Sequence, residues 1–220
     1  MNWDSAKNIG DIITLNVNYI LGNIESSPYH QGALAPDSQQ LTEGLVKLNE
    51  LGFITVNGQG PLDETGFVEQ TWIYDGQVCG NWNYRISQRP HIAGFLPTDA
   101  ANTLINYFHI LSEPRVAYSI CSLEDGMGES QVYNLTREKS FSAPEDEALT
   151  PWTYPTNTPY FDEYSSAVEA VFFNDDISRI LYRQYCWVDF LIEDYNSNYS
   201  LEDTIVAAFA AIQSGLTVIA

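Results

Sequence analysis

Residues 33–61, called the central stretch below, have the sequence ALAPDSQQLTEGLVKLNELGFITVNGQGP. Leucines recur in it at helical spacing, at positions 41, 45, 48 and 51. Asp37 or Ser38 stands where a helix N-cap is favoured, and Gly52 stands where a helix commonly ends in a left-handed residue. The pattern predicts one short helix, capped at Asp37 or Ser38 and ended by Gly52.

A buried strand is expected directly after this helix. Phe53 to Val56 are aromatic or β-branched, and the polar, glycine-rich run from Asn57 to Gly60 predicts a turn. A helix N-terminus presents unpaired N–H groups, and glycines allow close approach to the backbone. The helix start and the strand end are therefore placed to bracket a small ligand. The plainer alternative is that these residues serve only as caps and turns.

The rest of the chain mixes helical and strand patterns. Apolar residues at helical spacing predict helices, and β-branched or aromatic runs predict strands, over residues 1–22, 71–74, 88–95, 98–111, 116–121, 166–184, 186–192 and 201–215, with an edge strand at 216–220. Thr98 with Asp99, and Ser200 with Asp203, stand where the caps of the helices that follow are favoured. We expect an α+β fold, a single domain over residues 1–220 with a mixed β-sheet core flanked by helices.

Two features of the second half are unusual. Asp189 interrupts an apolar strand pattern, and a buried carboxylate is costly unless it is paired, so it needs an arginine, backbone donors or solvent. Residues 138–165 contain four prolines among aromatic residues, which predicts a long surface loop without regular helix. Such a loop either covers a pocket or binds a partner.

Charge and composition limit the classes of function. The chain has 220 residues, 29 of them acidic and 9 basic, for a net charge of −20, which disfavours binding to nucleic acid or to an anionic membrane. A basic protein partner remains compatible with this charge. No apolar run approaches about 18 residues and the N-terminus lacks a basic start, so we expect a soluble, cytoplasmic protein.

The sequence offers little support for an enzyme or a metal site. The three cysteines and three histidines lack metal-ligand spacing, and the common phosphate-binding, dinucleotide-binding and hydrolase motifs are absent. We therefore expect no metal and favour a non-catalytic protein, with an enzyme kept as the less favoured alternative.

The central stretch resembles the C-terminal regulatory domain of eukaryotic methylenetetrahydrofolate reductase. In that family an acidic residue and a hydroxyl residue precede the helix, and the strand ends in a Thr-x-Asn-Ser-Gln-Pro pattern. The matching segments occur in the same order along most of the chain, and the match is weak from about 120 to 165. The matching segments are Trp3, Tyr19 to Gly22, Pro36 to Ser38, Leu48 to Gln59, Gln88-Arg89, Thr98, Trp187 to Phe190 and Ser200 to Asp203.

The resemblance implies a non-catalytic, regulatory or sensor-like domain that binds S-adenosylmethionine or S-adenosylhomocysteine, here without the reductase's catalytic barrel. The positions that match the family's binding residues are Ala35, Asp37, Ser38, Thr55, Gly58 and Gln59. Gly58 and Gly60 replace the family's serine and proline, and Asp37 is shorter than the usual glutamate. The alternative is an acidic structural or interaction protein that keeps the fold, has lost the ligand site and binds a protein partner.

Overall fold

The structure, a computed structural model, describes residues 3–28, 30, 32–60, 62–63, 68–74, 77–88, 90–111, 114–122, 128–130, 137–142, 150–152, 175–192 and 199–214. After a short 3-10 turn at Trp3–Ser5, the helices are α1 (Ile9–Ile20), α2 (Pro36–Gln39), α3 (Thr42–Glu50), α4 (Thr98–Ile110), α5 (Asp175–Gln184) and α6 (Leu201–Gln213). The strands are β1 (Ile54–Gln59), β2 (Leu62–Asp63), β3 (Val68–Tyr74), β4 (Gln77–Gln88), β5 (His91–Pro97), β6 (Val116–Ser122), β7 (Gly128–Ser130), β8 (Arg137–Ser142), β9 (Thr150–Trp152) and β10 (Tyr185–Ile192).

The strands form two sheets. The first has the order β1-β5-β10-β6-β7, and the second has the order β2-β4-β8-β9 with β3 also paired to β4. The α+β class is confirmed. The expectation of a mixed sheet was wrong for the described strands, because each of their pairings is antiparallel. β5 and β6 run in the same direction, but β10 lies between them and opposes both.

Helices pack on both faces of the first sheet, as the alternation of its strands requires. One face of β5 and β10 packs with α3, α4 and α6 through Ile92, Leu96, Val188, Phe190, Leu48, Leu104 and Ile205. The other face packs with α1 and α5 through Phe95, Trp187, Ile12, Leu15, Ile177 and Leu181. The core is therefore built around β5 and β10.

The predicted helix of the central stretch is divided in two. Ala35, not Asp37 or Ser38, is the N-cap of α2, and its carbonyl accepts from the N–H groups of Ser38 (2.9 Å) and Gln39 (3.0 Å). No side chain caps α2 or α3. The expected end is confirmed, because Gly52 follows α3 with a φ of 93°. The predicted caps were wrong, because α2 begins at Pro36 and both Asp37 and Ser38 lie within it.

Other predicted boundaries are partly changed. α4 begins at Thr98 with Pro97 as its N-cap, so Thr98 does not cap it. Within the loop expected at 138–165, β8 and β9 form paired strands, which corrects that part of the prediction. Proline excludes helix but not an edge strand, and β9 is the last strand of its sheet. The rest of that loop, like the edge strand expected at 216–220, lies outside the described residues. The expectation of a single domain stays a prediction.

Candidate functional site

The two halves of the predicted site meet at one hydrogen bond. The Ser38 hydroxyl, in α2, donates to the carbonyl oxygen of Gly58, near the end of β1. Ser38 is buried by this contact. The helix start and the strand end, which sequence analysis placed on either side of a ligand, therefore lie against each other.

Thr55 belongs to a buried polar network rather than to an open surface. Its hydroxyl accepts from Asn49 Nδ2 at 2.7 Å, and its carbonyl accepts from Asn16 Nδ2 at 2.8 Å. Asn16 Nδ2 also donates to Asn49 Oδ1 at 2.8 Å, and Asn49 Nδ2 donates to the carbonyl of Leu45 at 2.8 Å. This network ties α1, α3 and β1 together, so the Thr55 side chain has a structural role.

Three carbonyls of β1 accept hydrogen bonds from side chains. β1 is the terminal strand of its sheet as described, so one row of its backbone groups has no strand partner. The carbonyls of Thr55, Val56 and Gly58 accept from Asn16, His30 and Ser38, respectively. The distance from His30 Nε2 to the Val56 carbonyl is 2.8 Å. α1, α2 and the loop between them therefore cover this edge.

The other predicted site residues have different surroundings. Ala35 is exposed at the start of α2, and Gly58 faces α3, where an added Cβ would lie 3.1 Å from Leu45 Cδ2. The backbones of Asp37 and Gln59 directly adjoin Ser38 and Gly58, while their side chains lie outside the described part of the structure. Ala35, Asp37, Ser38, Gly58 and Gln59 thus gather at one edge, with Thr55 buried beneath it.

A cluster of polar side chains, only partly predicted from the sequence, lies at the end of the first sheet. His91 Nε2 is 2.8 Å from Asp189 Oδ1, and Trp187 Nε1 donates to Asp189 Oδ2 at 2.9 Å. Asp189 was expected to need a partner, but its partners are a histidine and an indole instead of an arginine. The signal for His91 was weak, because nothing local to a strand identifies a partner in another strand.

The His91–Asp189 pair adjoins the predicted site through strand pairing. In β1 and β5, Gln59 lies directly opposite His91, and Gly58 lies opposite Ile92. Residues directly opposite in an antiparallel pair share a face of the sheet, with Cβ atoms about 4.5–5.5 Å apart. The end of the first sheet therefore brings Gln59, His91 and Asp189 to one region.

The two cysteines whose side chains the structure describes, Cys121 and Cys186, are poor candidates for nucleophiles. Burial raises the pKa of the Cys186 thiol to about 12, and its Sγ lies 3.5 Å from the Leu96 carbonyl. A thiol with such a pKa stays protonated at neutral pH, and the thiolate is the reactive form. Cys121 is also buried. Among the residues described, no group of three or more His, Cys, Asp or Glu side chains is arranged to hold a metal ion.

Comparisons with known proteins add no relative. No protein-family model matches the chain, and no curated protein matches it. Of the helices that the structure describes, none is both long and apolar enough to span a membrane.

Proposed function

We propose that this chain is a non-catalytic small-molecule-binding domain, regulatory or sensor-like, whose ligand is S-adenosylmethionine or S-adenosylhomocysteine. The proposal rests on the resemblance of the central stretch and on one structural observation, the Ser38–Gly58 hydrogen bond. Through that bond two segments separated in sequence form a single edge, and Asp37 and Gln59 are the chain neighbours of the two bonded residues.

The chemistry of this edge suits the proposed ligand. A sulfonium or ammonium group is attracted to a carboxylate, which Asp37 supplies, and an adenosine needs amide or hydroxyl partners, which Gln59 supplies. The support beneath the edge is rigid, because the Asn16–Asn49–Thr55 network holds β1 against α1 and α3. A rigid base reduces the ordering that a ligand must impose.

The first test is calorimetric titration with S-adenosylmethionine and S-adenosylhomocysteine, together with thermal melting. A ligand at about 100 times its Kd should stabilise the protein by about 2.7 kcal/mol. For a chain of this size that corresponds to a rise in Tm of about 5–10 °C. Asp37→Asn should raise the Kd by about tenfold or more, because hydrogen bonds to charged groups contribute about 1.5–3 kcal/mol.

Glu50→Gln is the matched control. Glu50 is exposed at the end of α3, so its substitution removes the same charge away from the edge and should leave the Kd unchanged. A Kd that does not respond to Asp37→Asn would remove Asp37 from the site. No heat and no change in Tm at millimolar ligand would reject the proposal.

The alternative function is an acidic interaction protein that retains the fold without a ligand site. Two of the residues predicted to contact the ligand favour this alternative. The hydroxyls of Ser38 and Thr55 are buried and already hydrogen-bonded within the protein. With a net charge of −20, the expected partner is a basic protein. If both adenosyl ligands fail to bind, capture of a basic partner that is lost at high salt would support this alternative.

A further inference from the structure

The His91–Asp189 contact defines which imidazole nitrogen has a lone pair. An ionised carboxylate only accepts hydrogen bonds, so the 2.8 Å contact with Asp189 Oδ1 places a hydrogen on His91 Nε2. In the neutral ring Nδ1 is then an acceptor. Asp189 is itself oriented by the Trp187 indole, which donates to its second oxygen at 2.9 Å. Asp189 therefore fixes the orientation of the His91 ring and, in the neutral ring, the tautomer with its hydrogen on Nε2.

The acceptor at His91 Nδ1 is buried and has no hydrogen-bond partner in the protein as described. His91 as a whole is 8% exposed. Buried polar atoms in proteins nearly always have partners, so an orphan acceptor points to a partner from outside the chain, either an ordered water or a group of a ligand that replaces it. The side chains of His91 and Asp189 retain 10% and 15% exposure, so the pair lies just beneath the surface.

The position of this acceptor links it to the candidate edge. His91 is opposite Gln59 in the strand register, and Gln59 follows Gly58, whose carbonyl is bonded to Ser38. The residues opposite Asp189 in the neighbouring strands are Ala93 and Ser119, which are small and uncharged. Neither of the residues paired with Asp189 in the flanking strands is therefore charged.

We propose that the small-molecule site extends along the end of the first sheet to His91, where Nδ1 accepts a hydrogen bond from a hydroxyl or amino group of the ligand. Asp189 is a positioning residue, because it acts through His91. The inference rests on the proposed function for the existence of a ligand. The adenosyl ligands provide both kinds of donor, in the ribose hydroxyls and in the adenine amino group.

The test compares His91→Gln with His109→Gln. A glutamine amide can reach the place of Nε2 and still donate to Asp189, but it offers no acceptor at the place of Nδ1. His109 is exposed on α4, and its Nε2 lies 3.2 Å from the Tyr118 hydroxyl, which a glutamine amide can also reach, so its substitution controls for loss of a histidine. The probes are S-adenosylmethionine, S-adenosylhomocysteine and adenosine, titrated calorimetrically, with the Tm of each ligand-free variant measured alongside.

We expect His91→Gln to raise the Kd tenfold or more while its ligand-free Tm stays near that of the wild type. His109→Gln should change neither the Kd nor the ligand-free Tm. Equal Kd values for the wild type and His91→Gln would overturn this inference and leave the proposed function intact. Failure of all three probes to bind the wild type would overturn the proposed function and this inference with it.

A second measurement on the wild type does not depend on the folding of a variant. The ring-nitrogen NMR signals of His91 report hydrogen bonding at Nδ1 directly. We expect the Nδ1 signal to shift as ligand is added, in proportion to saturation. If the heat of binding saturates and the Nδ1 signal does not move, His91 does not contact the ligand and the inference fails.

Discussion

At the scale of the residue, Thr55 shows how a predicted ligand contact can have a structural role. The resemblance implies that its hydroxyl contacts the ligand, whereas in the structure the hydroxyl accepts from Asn49 within a buried network. Asn49 has two amide hydrogens, and Leu45 and Thr55 each accept one. Loss of either acceptor leaves a buried donor unpaired, which costs more than the bond itself contributed.

Thr55→Val tests this role. Valine has nearly the same shape but no acceptor, so one Asn49 N–H is left unpaired in the core. We expect the free energy of unfolding to fall by about 1–3 kcal/mol, measured by urea denaturation. Ligand affinity of the folded protein should change little.

Thr14→Val is the control for this substitution. The Thr14 hydroxyl is exposed on α1 and bonds to the Gly10 carbonyl, so its loss should cost no more than about 0.5 kcal/mol. Unchanged stability together with lost binding in Thr55→Val would instead identify the hydroxyl as a ligand contact.

At the scale of the element, the position of β1 depends on a glycine in the neighbouring strand. β1 contains a register shift between Thr55 and Asn57, and Gly94 of β5 lies at this irregularity. A Cβ added to Gly94 would lie 2.1 Å from the Ile54 carbonyl oxygen and 2.9 Å from Thr55 Cα. The backbone of β1 therefore crosses Gly94 more closely than any other residue type would allow.

Gly94→Ala should displace β1 from the sheet. The atoms in the way belong to the backbone, which cannot rotate aside, so we expect a loss of at least about 3 kcal/mol in the free energy of unfolding. Urea denaturation measures this loss directly. Because β1 contains the Gly58 carbonyl and Gln59, ligand binding should be lost as well.

Gly10→Ala is the matched control for this glycine. Its added Cβ would meet only the Oδ1 atom of the Asn8 side chain, the N-cap of α1, at 3.1 Å, which a shift of a few tenths of an ångström in that side chain relieves. The free energy of unfolding should therefore change by no more than about 0.5 kcal/mol. A Gly94→Ala protein as stable as the wild type would mean that β1 can shift without cost.

At the scale of the whole molecule, the dominant feature is an excess of negative charge. With 29 acidic and 9 basic residues, the folded chain concentrates like charges that the unfolded chain can separate. Local pairs such as Lys47–Glu43, at 2.8 Å on the surface of α3, offset little of this repulsion.

Added salt should therefore stabilise the protein. The Debye length falls from about 30 Å at 0.01 M to about 8 Å at 0.15 M ionic strength, which weakens repulsion between distant carboxylates. We expect the Tm, followed by circular dichroism, to rise between these two conditions at pH 7. A fall in Tm over this range would show that attractive pairs outweigh the net repulsion.

Features that depend on a few neighbouring residues could be predicted from the sequence. Apolar spacing predicted α1, α3, α4 and α6, the left-handed end at Gly52 was anticipated, and Ser200 caps α6 by accepting from the Asp203 N–H. The need of Asp189 for a partner was also visible. These properties follow from the helical period, backbone conformation and desolvation, which act over one or two turns.

The contacts between distant groups became visible only in the folded protein. The tertiary structure divided the predicted helix into α2 and α3, and it joined the Ser38 hydroxyl of α2 to the Gly58 carbonyl of β1. It placed β10 between β5 and β6, and it paired Asp189 with His91 from a strand 98 residues earlier. An apolar run fits a parallel or an antiparallel neighbour equally well, so strand order and cross-strand pairs depend on how all the elements pack together.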